Sequence, residues 1–293
     1  MSASDSLRSM RIGVLGAGGM LGQALAREFG RRGHDVASWQ HPDADLTSAE
    51  DCARVVANAD VVVNAAAFTR VDDAETHEAE AFIVNAAGPA LLARACARSA
   101  TRLVQISTDY VFDGAAAAPY PEDAPMRPRS GYGRTKAAGE WAVRAEHPTA
   151  YIVRTAWLYG PGGGSFPATM LRLARERETL AVVDDQRGQP TTTRDVARYV
   201  ADLVEGDASP GIYHATSEGE TTWYGFARAL FTDAGLDPDR LVPTDTASFQ
   251  RLAPRPAYSV LGHGRSVAAG LDLLPPWRQA LSETLDDLVG ESV

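Results

Sequence analysis

The 293-residue chain is 45% apolar and 23% charged, a globular composition long enough for one large domain or two small ones. Its formal net charge of −10 and pI near 5.1 argue against general affinity for nucleic acid or an anionic membrane, while leaving room for a small anionic ligand held by local donors. Six scattered histidines without an HExxH pattern exclude a familiar metal site. Two cysteines (Cys52 and Cys96) at unsuitable spacing exclude a disulfide framework, and no long apolar run offers a membrane span.

Met1 to Met10 is Ser-rich and lacks the apolar core of a signal peptide, so it reads as a flexible tail and the expected location is the cytoplasm. Residues 11–16 read as a buried strand ending in glycine. Residues 20–32 carry Leu21, Leu25 and Phe29 on one helical face, and His34 to Trp39 make a second strand. Thr47-Ser-Ala-Glu50 has the form of a capping box that opens a helix. Asp60 to Ala66 forms a uniformly apolar third strand, and Glu78 to Ser99 a long Ala-rich helix. A strand follows at Arg102 to Ser107, then a helix from Gly133 to about Glu146 and a strand at Ala150 to Arg154. Both cysteines fall in helical patterns as packed thiols.

This alternation predicts an α/β fold of Rossmann type, a doubly wound parallel sheet whose strand C-termini share one ligand-binding edge. After Gly160 the pattern changes. Gly162-Gly163-Gly164 reads as a flexible connection, followed by helices near 166–178, 193–205 and 222–235 and short strands at 181–183 and 211–214. The expected division is a tail at 1–10 and a dinucleotide-binding domain at 11–160, with a segment returning to the sheet near 190–215. A smaller α/β substrate-binding lobe takes 161–189 and 216–293.

Four motifs carry chemistry. Gly16, Gly19 and Gly22 lie between the first strand and first helix, where bare backbone and helix N–H groups accept a pyrophosphate. The second strand ends in Trp39-Gln40-His41, with neither an acid for a ribose 2′-hydroxyl nor an arginine for a 2′-phosphate, which points to NADPH or NADH with a mild tilt to NADPH. Asn64-Ala-Ala-Ala67 places small residues at a strand edge where a flat cofactor can lie close. Finally, Ser107-Thr-Asp-Tyr110 precedes Tyr132-x-x-x-Lys136. Residues four apart share a helix face, so the ammonium of Lys136 is expected near the phenol of Tyr132, lowering its pKa, with the Thr108 hydroxyl holding the substrate oxygen. Of the 28 basic side chains, Lys136 is the only lysine, which marks this position as one arginine does not serve.

With Ser107-Thr-Asp-Tyr-Val-Phe-Asp-Gly114 and Arg154-Thr-Ala-Trp-Leu-Tyr-Gly160, these motifs make the chain resemble the extended short-chain dehydrogenases/reductases. Within them it is similar to the dTDP-4-dehydrorhamnose reductases, over essentially the whole chain from Arg11. The resemblance implies NAD(P)H-dependent reduction of the 4-keto group of dTDP-4-dehydro-L-rhamnose to dTDP-L-rhamnose. It implies Gly16, Gly19, Met20 and Leu21 at the cofactor diphosphate, Asp45 and Leu46 at the adenine, and Ala65, Ala66 and Ala67 along the path to the nicotinamide. Thr108, Asp109, Trp157 and Arg255 would meet the substrate, with Trp157 against the hexose ring. Tyr132 would be the proton donor, and Lys136 would hold the nicotinamide ribose. Two positions depart from the pattern, Leu15 where relatives carry Thr and Tyr258 where they carry Asn.

The alternatives are a reductase of another nucleotide-linked 4-ketosugar and a non-catalytic regulatory subunit on the same fold. A dehydratase would need a carboxylate where Tyr110 stands, and the intact Thr108, Tyr132 and Lys136 weigh against a non-catalytic role. The expected partner is a small nucleotide sugar, with neither nucleic acid nor membrane and no resident metal.

Overall fold

The computed structural model describes residues 9–290. Five strands, β1 (Arg11–Leu15), β2 (Asp35–Trp39), β3 (Val61–Asn64), β4 (Arg102–Thr108) and β5 (Tyr151–Thr155), join the later strand Gly211–His214 in one parallel sheet. Its order is Gly211–His214, β5, β4, β3, β1, β2. The chain reverses direction across the sheet between β1 and β3, and the crevice for a ligand opens there.

Val61, Val62 and Val63 are all fully buried because helices cover both faces of the sheet. On one face Val61 and Val63 pack with α1 (Met20–Arg31) and α7 (Thr193–Glu205), through Leu25, Phe29, Val196 and Val200. On the other face Val62 packs with α2 (Ala49–Val56), α4 (Gly88–Arg98) and α5 (Gly131–Glu146), through Val55, Leu92, Cys96 and Val143. Burial pushes the Cys52 and Cys96 thiols up to about 11 and about 12, so both are inert packing residues.

A third cluster joins α6 (Phe166–Glu176), α8 (Trp223–Asp233) and α10 (Trp277–Gly290) to the parallel pair Leu180–Val183 and Leu241–Thr244. α9 (Gly264–Ala268) is a single short turn beside Gly211–His214.

The doubly wound α/β fold is as expected, and three local readings are corrected. The long helix 78–99 is broken into α3 (Glu78–Phe82), a π turn (Ile83–Ala87) and α4. Pro89 has no N–H to give to Asn85, and this missing bond sits at the break. The cap of α2 is Ser48, whose hydroxyl accepts from Asp51 N, because the Thr47 hydroxyl is turned to Asp45 instead. Of the expected tail, residues 1–8 lie outside the described residues. Met10 packs against the core and its carbonyl accepts from Asp35 N at 2.9 Å.

Candidate active site

The strand ends place the motifs along one crevice. Gly16 adopts φ +77°, and a Cβ there would sit 2.6 Å from Ala66 N, so the β1 turn lies against the Ala65–Ala66 backbone. At Gly22 a Cβ would sit 2.1 Å from Gly16 O, which draws α1 tightly onto the turn. Gly19 caps α1 with no side-chain partner for the first helical amides, leaving them free to meet a phosphate. Leu21 is buried in the core, so it can offer a ligand only its backbone. Asn64 donates to Gln105 Oε1 at 2.8 Å and accepts from Ala66 N at 3.1 Å, holding the small residues Ala65 to Ala67 in place at the edge. These residues fit a dinucleotide diphosphate.

Beyond the diphosphate cradle, the structure revises the sequence reading of the cofactor's far end. A hollow of about 360 Å³ at the end of β2 is lined by Ala17, Gln23, Ser38, Gln40, Asp43 and Arg27. The sequence around Trp39 to His41 shows no arginine, but α1 supplies one from two turns away. Asp45 is not free to turn outward unaided, since its Oδ1 already accepts from Thr47 N at 2.8 Å and Thr47 Oγ1 at 2.7 Å. The Leu46 side chain is buried against Gly88, leaving its backbone as the part able to border an adenine. The glycine run after Gly160 packs more closely than a free connection. A Cβ at Gly163 would lie 2.5 Å from Met20 Cγ, so this loop rests on the start of α1.

At the end of β4, the buried Thr108 hydroxyl donates to Asp109 Oδ1 at 2.9 Å and accepts from Tyr110 N at 3.2 Å. Asp109 Oδ2 is buried without a hydrogen bond, and burial pushes the carboxyl up to about 6 despite the nearby Ser259 and Thr108 hydroxyls. Ser130 caps α5 by accepting from Gly133 N, so Tyr132 and Lys136 sit in the first two turns, on one face. The Tyr132 ring packs edge-on against Tyr110, with centroids 5.5 Å apart.

The expected electrostatics need correcting here. Burial raises the Tyr132 pKa above the ordinary phenol value, with the Thr108 hydroxyl opposing it, and Lys136 does not offset that rise. The Lys136 ammonium is drawn instead to the Ile106 carbonyl on β4, at 2.7 Å. Burial lowers its pKa to about 8, with the charge of Glu140 opposing.

Beneath these groups lies a pair that the motifs do not announce. Arg154 and Glu140 are each only 1% exposed. Arg154 donates to both carboxylate oxygens, at 2.9 and 2.7 Å, and Ser107 Oγ donates to Oε1 at 2.5 Å. Glu140 therefore ties α5 to β5 and to the residue before Thr108. Asn85, in the π turn, accepts from Phe68 N at 2.8 Å and donates to Phe68 O and to Thr135 Oγ1. Both residues could have been noticed as polar positions within apolar helical patterns, though their partners lie far away in the chain.

Tyr110 also lines a cavity of about 740 Å³, together with Trp157, Phe166, Trp223, Gln186 and Arg255. Trp157 stacks on Trp223 at a centroid distance of 3.5 Å and an angle of 6°. A Cβ on Gly188 would lie 2.5 to 2.7 Å from three atoms of the Trp157 indole, so the Gly188 backbone covers the other face. The open Trp157 face expected for a hexose is thus absent in this arrangement. The indole is held there by a backbone at φ +46°, a conformation costly for a bulky residue and typical of functional sites. Of the two departures, Leu15 is simply core, and the Tyr258 hydroxyl donates to Glu220 at 2.9 Å.

Comparison with known proteins finds the family described as RmlD substrate binding domain, matching residues 10–289. A dTDP-4-dehydrorhamnose reductase of Streptomyces griseus is 48% identical over 95% of this chain and 94% of its own length. A probable dTDP-4,6-dihydroxy-2-methyloxan-3-one 4-ketoreductase of Streptomyces antibioticus is 47% identical over 96% of each chain. Among solved structures, the Bacillus anthracis dTDP-4-dehydrorhamnose reductase in complex with NADP superposes with a TM-score of 0.90 at 34% identity, over 95% of this chain and 99% of that one.

Proposed function

Since the chain belongs to the RmlD substrate binding domain family, we propose that it reduces the 4-keto group of dTDP-4-dehydro-L-rhamnose to give dTDP-L-rhamnose. It is an oxidoreductase that uses NADPH or NADH. The observation that carries the reading is the arrangement at the end of β4. The Thr108 hydroxyl bonds Asp109 and lies against the Tyr132 phenol, and the adjoining Tyr110 lines the large cavity.

The bound nicotinamide supplies the hydride. Gly16, Gly19 and the first amides of α1 hold the diphosphate, and the Ala65–Ala67 backbone lies along the path to the reacting end. The Thr108 hydroxyl, turning its proton from Asp109 Oδ1, holds the substrate oxygen, and Tyr132 Oη delivers a proton to it as it becomes an alkoxide. A phenol whose pKa is raised by burial is protonated at neutral pH, as a donor must be. Lys136, with a pKa near 8, carries a proton that can leave near neutral pH and stands one helical turn from Tyr132 to restore it. Asp109 and Arg255 act at the sugar and nucleotide ends, and Trp157 meets the sugar by its edge or after Trp223 moves aside.

A second reading keeps the chemistry and changes the sugar. Relatives at 47% and 48% identity carry different substrate names, so sequence closeness does not separate the two. The test is nicotinamide absorbance with dTDP-4-dehydro-L-rhamnose and with other dTDP-linked 4-ketosugars. A kcat/KM at least tenfold higher for the former supports the proposal. A reversed order moves the chain to the second reading, and no turnover with any of them overturns both.

A further inference from the structure

We propose that Asp72 is a positioning residue for the nucleotide end of the substrate, holding the Arg255 guanidinium and the 249–257 strap as a wall of the cavity. The inference rests on the reading above, in which Arg255 meets the nucleotide sugar. Asp72 lies in the loop after β3, far from the strap in sequence, yet its two oxygens divide between side chain and backbone of the strap. Oδ2 accepts from Arg255 Nη2 at 2.7 Å and lies 4.0 Å from the Arg251 guanidinium. Oδ1 accepts from Ala253 N at 3.1 Å, and Arg255 Nη1 returns a bond to Ala253 O at 3.2 Å.

The strap is anchored at its end, where Arg187 N donates to the Ala257 carbonyl at 2.8 Å, and by the buried Ala253, while Asp72 supplies the side-chain bonds to its middle. Leu252 is 71% exposed and Phe249 48%, although Phe249, Arg251, Arg255 and Pro256 all line the cavity. Behind Asp72 the structure is firm. Asp72 opens the short turn Asp73–Glu75, and Glu75 Oε1 accepts from Gly131 N at 2.7 Å, at the start of α5. A Cβ at Gly131 would sit 2.5 Å from Ala74 O, so turn and helix are in close contact. The residue next to Gly131 is Tyr132. Asp72 therefore connects the helix that bears the proton donor to the arginines at the cavity wall.

The chemistry suits a diphosphate. An arginine fork presents five donors in a rigid plane, and pinning it to a carboxylate reduces the ordering needed when an anion arrives. Burial acts to raise the Asp72 pKa, but the Ala253 amide and the charge of Arg255 outweigh it and hold the carboxyl below its usual range. The group is thus ionised at the pH of any ordinary assay.

The test is a double-mutant cycle with Asp72→Ala and Arg255→Ala, read as KM and kcat for the dTDP-ketosugar, with dTDP and NADPH affinities by titration. Each single change should raise the sugar KM and the dTDP Kd about tenfold, with kcat and NADPH affinity within about twofold. The double variant should be no worse than Arg255→Ala alone. Asp72→Asn keeps an acceptor for Ala253 N and removes the charge, so it carries the test if Asp72→Ala lowers the melting temperature; it should raise the sugar KM several-fold with unchanged melting. Additive losses, or an unchanged sugar KM in Asp72→Asn, overturn the proposal. If Arg255→Ala alone leaves the sugar KM unchanged, the placement of Arg255 at the substrate fails first and takes this inference with it. If Arg255→Ala weakens binding while Asp72→Asn does not, only the role of Asp72 falls.

Discussion

Around Thr108, Tyr132 and Lys136 most polar side chains are enclosed and partnered, whereas the wall built from Trp157, Trp223, Phe166 and the 249–257 strap is largely aromatic and partly open. The first region is held by the sheet itself. Ser107, Thr108 and Thr155 are the last residues of neighbouring strands, with Glu140 and Arg154 fastening α5 beneath them. The second is held by ring stacking, by the Trp223 Nε1–Gln186 bond, by the Arg187 amide on the Ala257 carbonyl and by the Asp72 carboxylate from across the cleft. Groups that move protons need fixed geometry, because a misplacement of about 1 Å costs catalysis severely. A wall that receives a nucleotide sugar can tolerate movement, and apolar surfaces slide at little cost.

The comparison can be broken at its strongest point first. Removing one partner of a buried ion pair leaves an uncompensated charge. Glu140→Ala should therefore cost about 3–5 kcal/mol of unfolding free energy, measured by chemical denaturation. A loss below about 1 kcal/mol would mean that the Arg154 guanidinium finds other partners and that the two regions are equally soft.

Next in size is chemistry at the rigid end. Tyr132→Phe should lose at least about a hundredfold in kcat while binding NADPH normally, the usual scale of an acid–base contribution. Lys136→Arg should lose as much, since a longer, planar group cannot keep both the Ile106 carbonyl and a place near the ribose. The exposed Arg144→Lys on the same helix serves as the control. Near-normal turnover in Lys136→Arg would show that the buried lysine is structural.

The pH profile sharpens the same point. Lys136 loses its proton as pH rises through about 8, so turnover should hold below that pH and fall about tenfold per unit above it. A profile flat to pH 9.5 would show that the charge on Lys136 is not used.

The recognition wall should give smaller, more selective effects. Trp223→Ala uncovers one face of Trp157 and should change the sugar KM about fivefold in either direction, leaving NADPH affinity within about twofold. Equal changes for both ligands would show the stack to be core. The smallest effect is expected at the cofactor's far end, where Arg27→Ala should reduce any preference for NADPH over NADH about threefold, under 1 kcal/mol. An unchanged preference would leave Arg27 as an ordinary surface arginine.

Much of this was legible in the chain. The alternation of apolar strands with amphipathic helices gave the doubly wound sheet, and Gly16, Gly19, Gly22, Thr108, Tyr132 and Lys136 were identifiable because each belongs to a short local pattern whose spacing is set by one turn or helix. The break at Pro89, the Ser48 cap and the packed Gly163 loop depart from the sequence reading for two different reasons. Pro89 and Asp45 stand within four residues of the positions they alter and were local signals outweighed by the helical and capping patterns, whereas the Met20 side chain reaches Gly163 only once the backbone has folded.

By itself, then, the sequence determined the topology, the family and the identity of the hydroxyl, phenol and ammonium groups, because backbone periodicity and nearest-neighbour spacing act over a few residues. Tertiary structure alone decided which charges those groups feel and which faces they present. Glu140 meets Arg154, Asp72 meets Arg255, Arg27 reaches the end of β2, and Trp157 is closed between Trp223 and Gly188. Burial and long-range contact set pKa values and accessible surface, and neither quantity exists until segments distant in the chain are brought together.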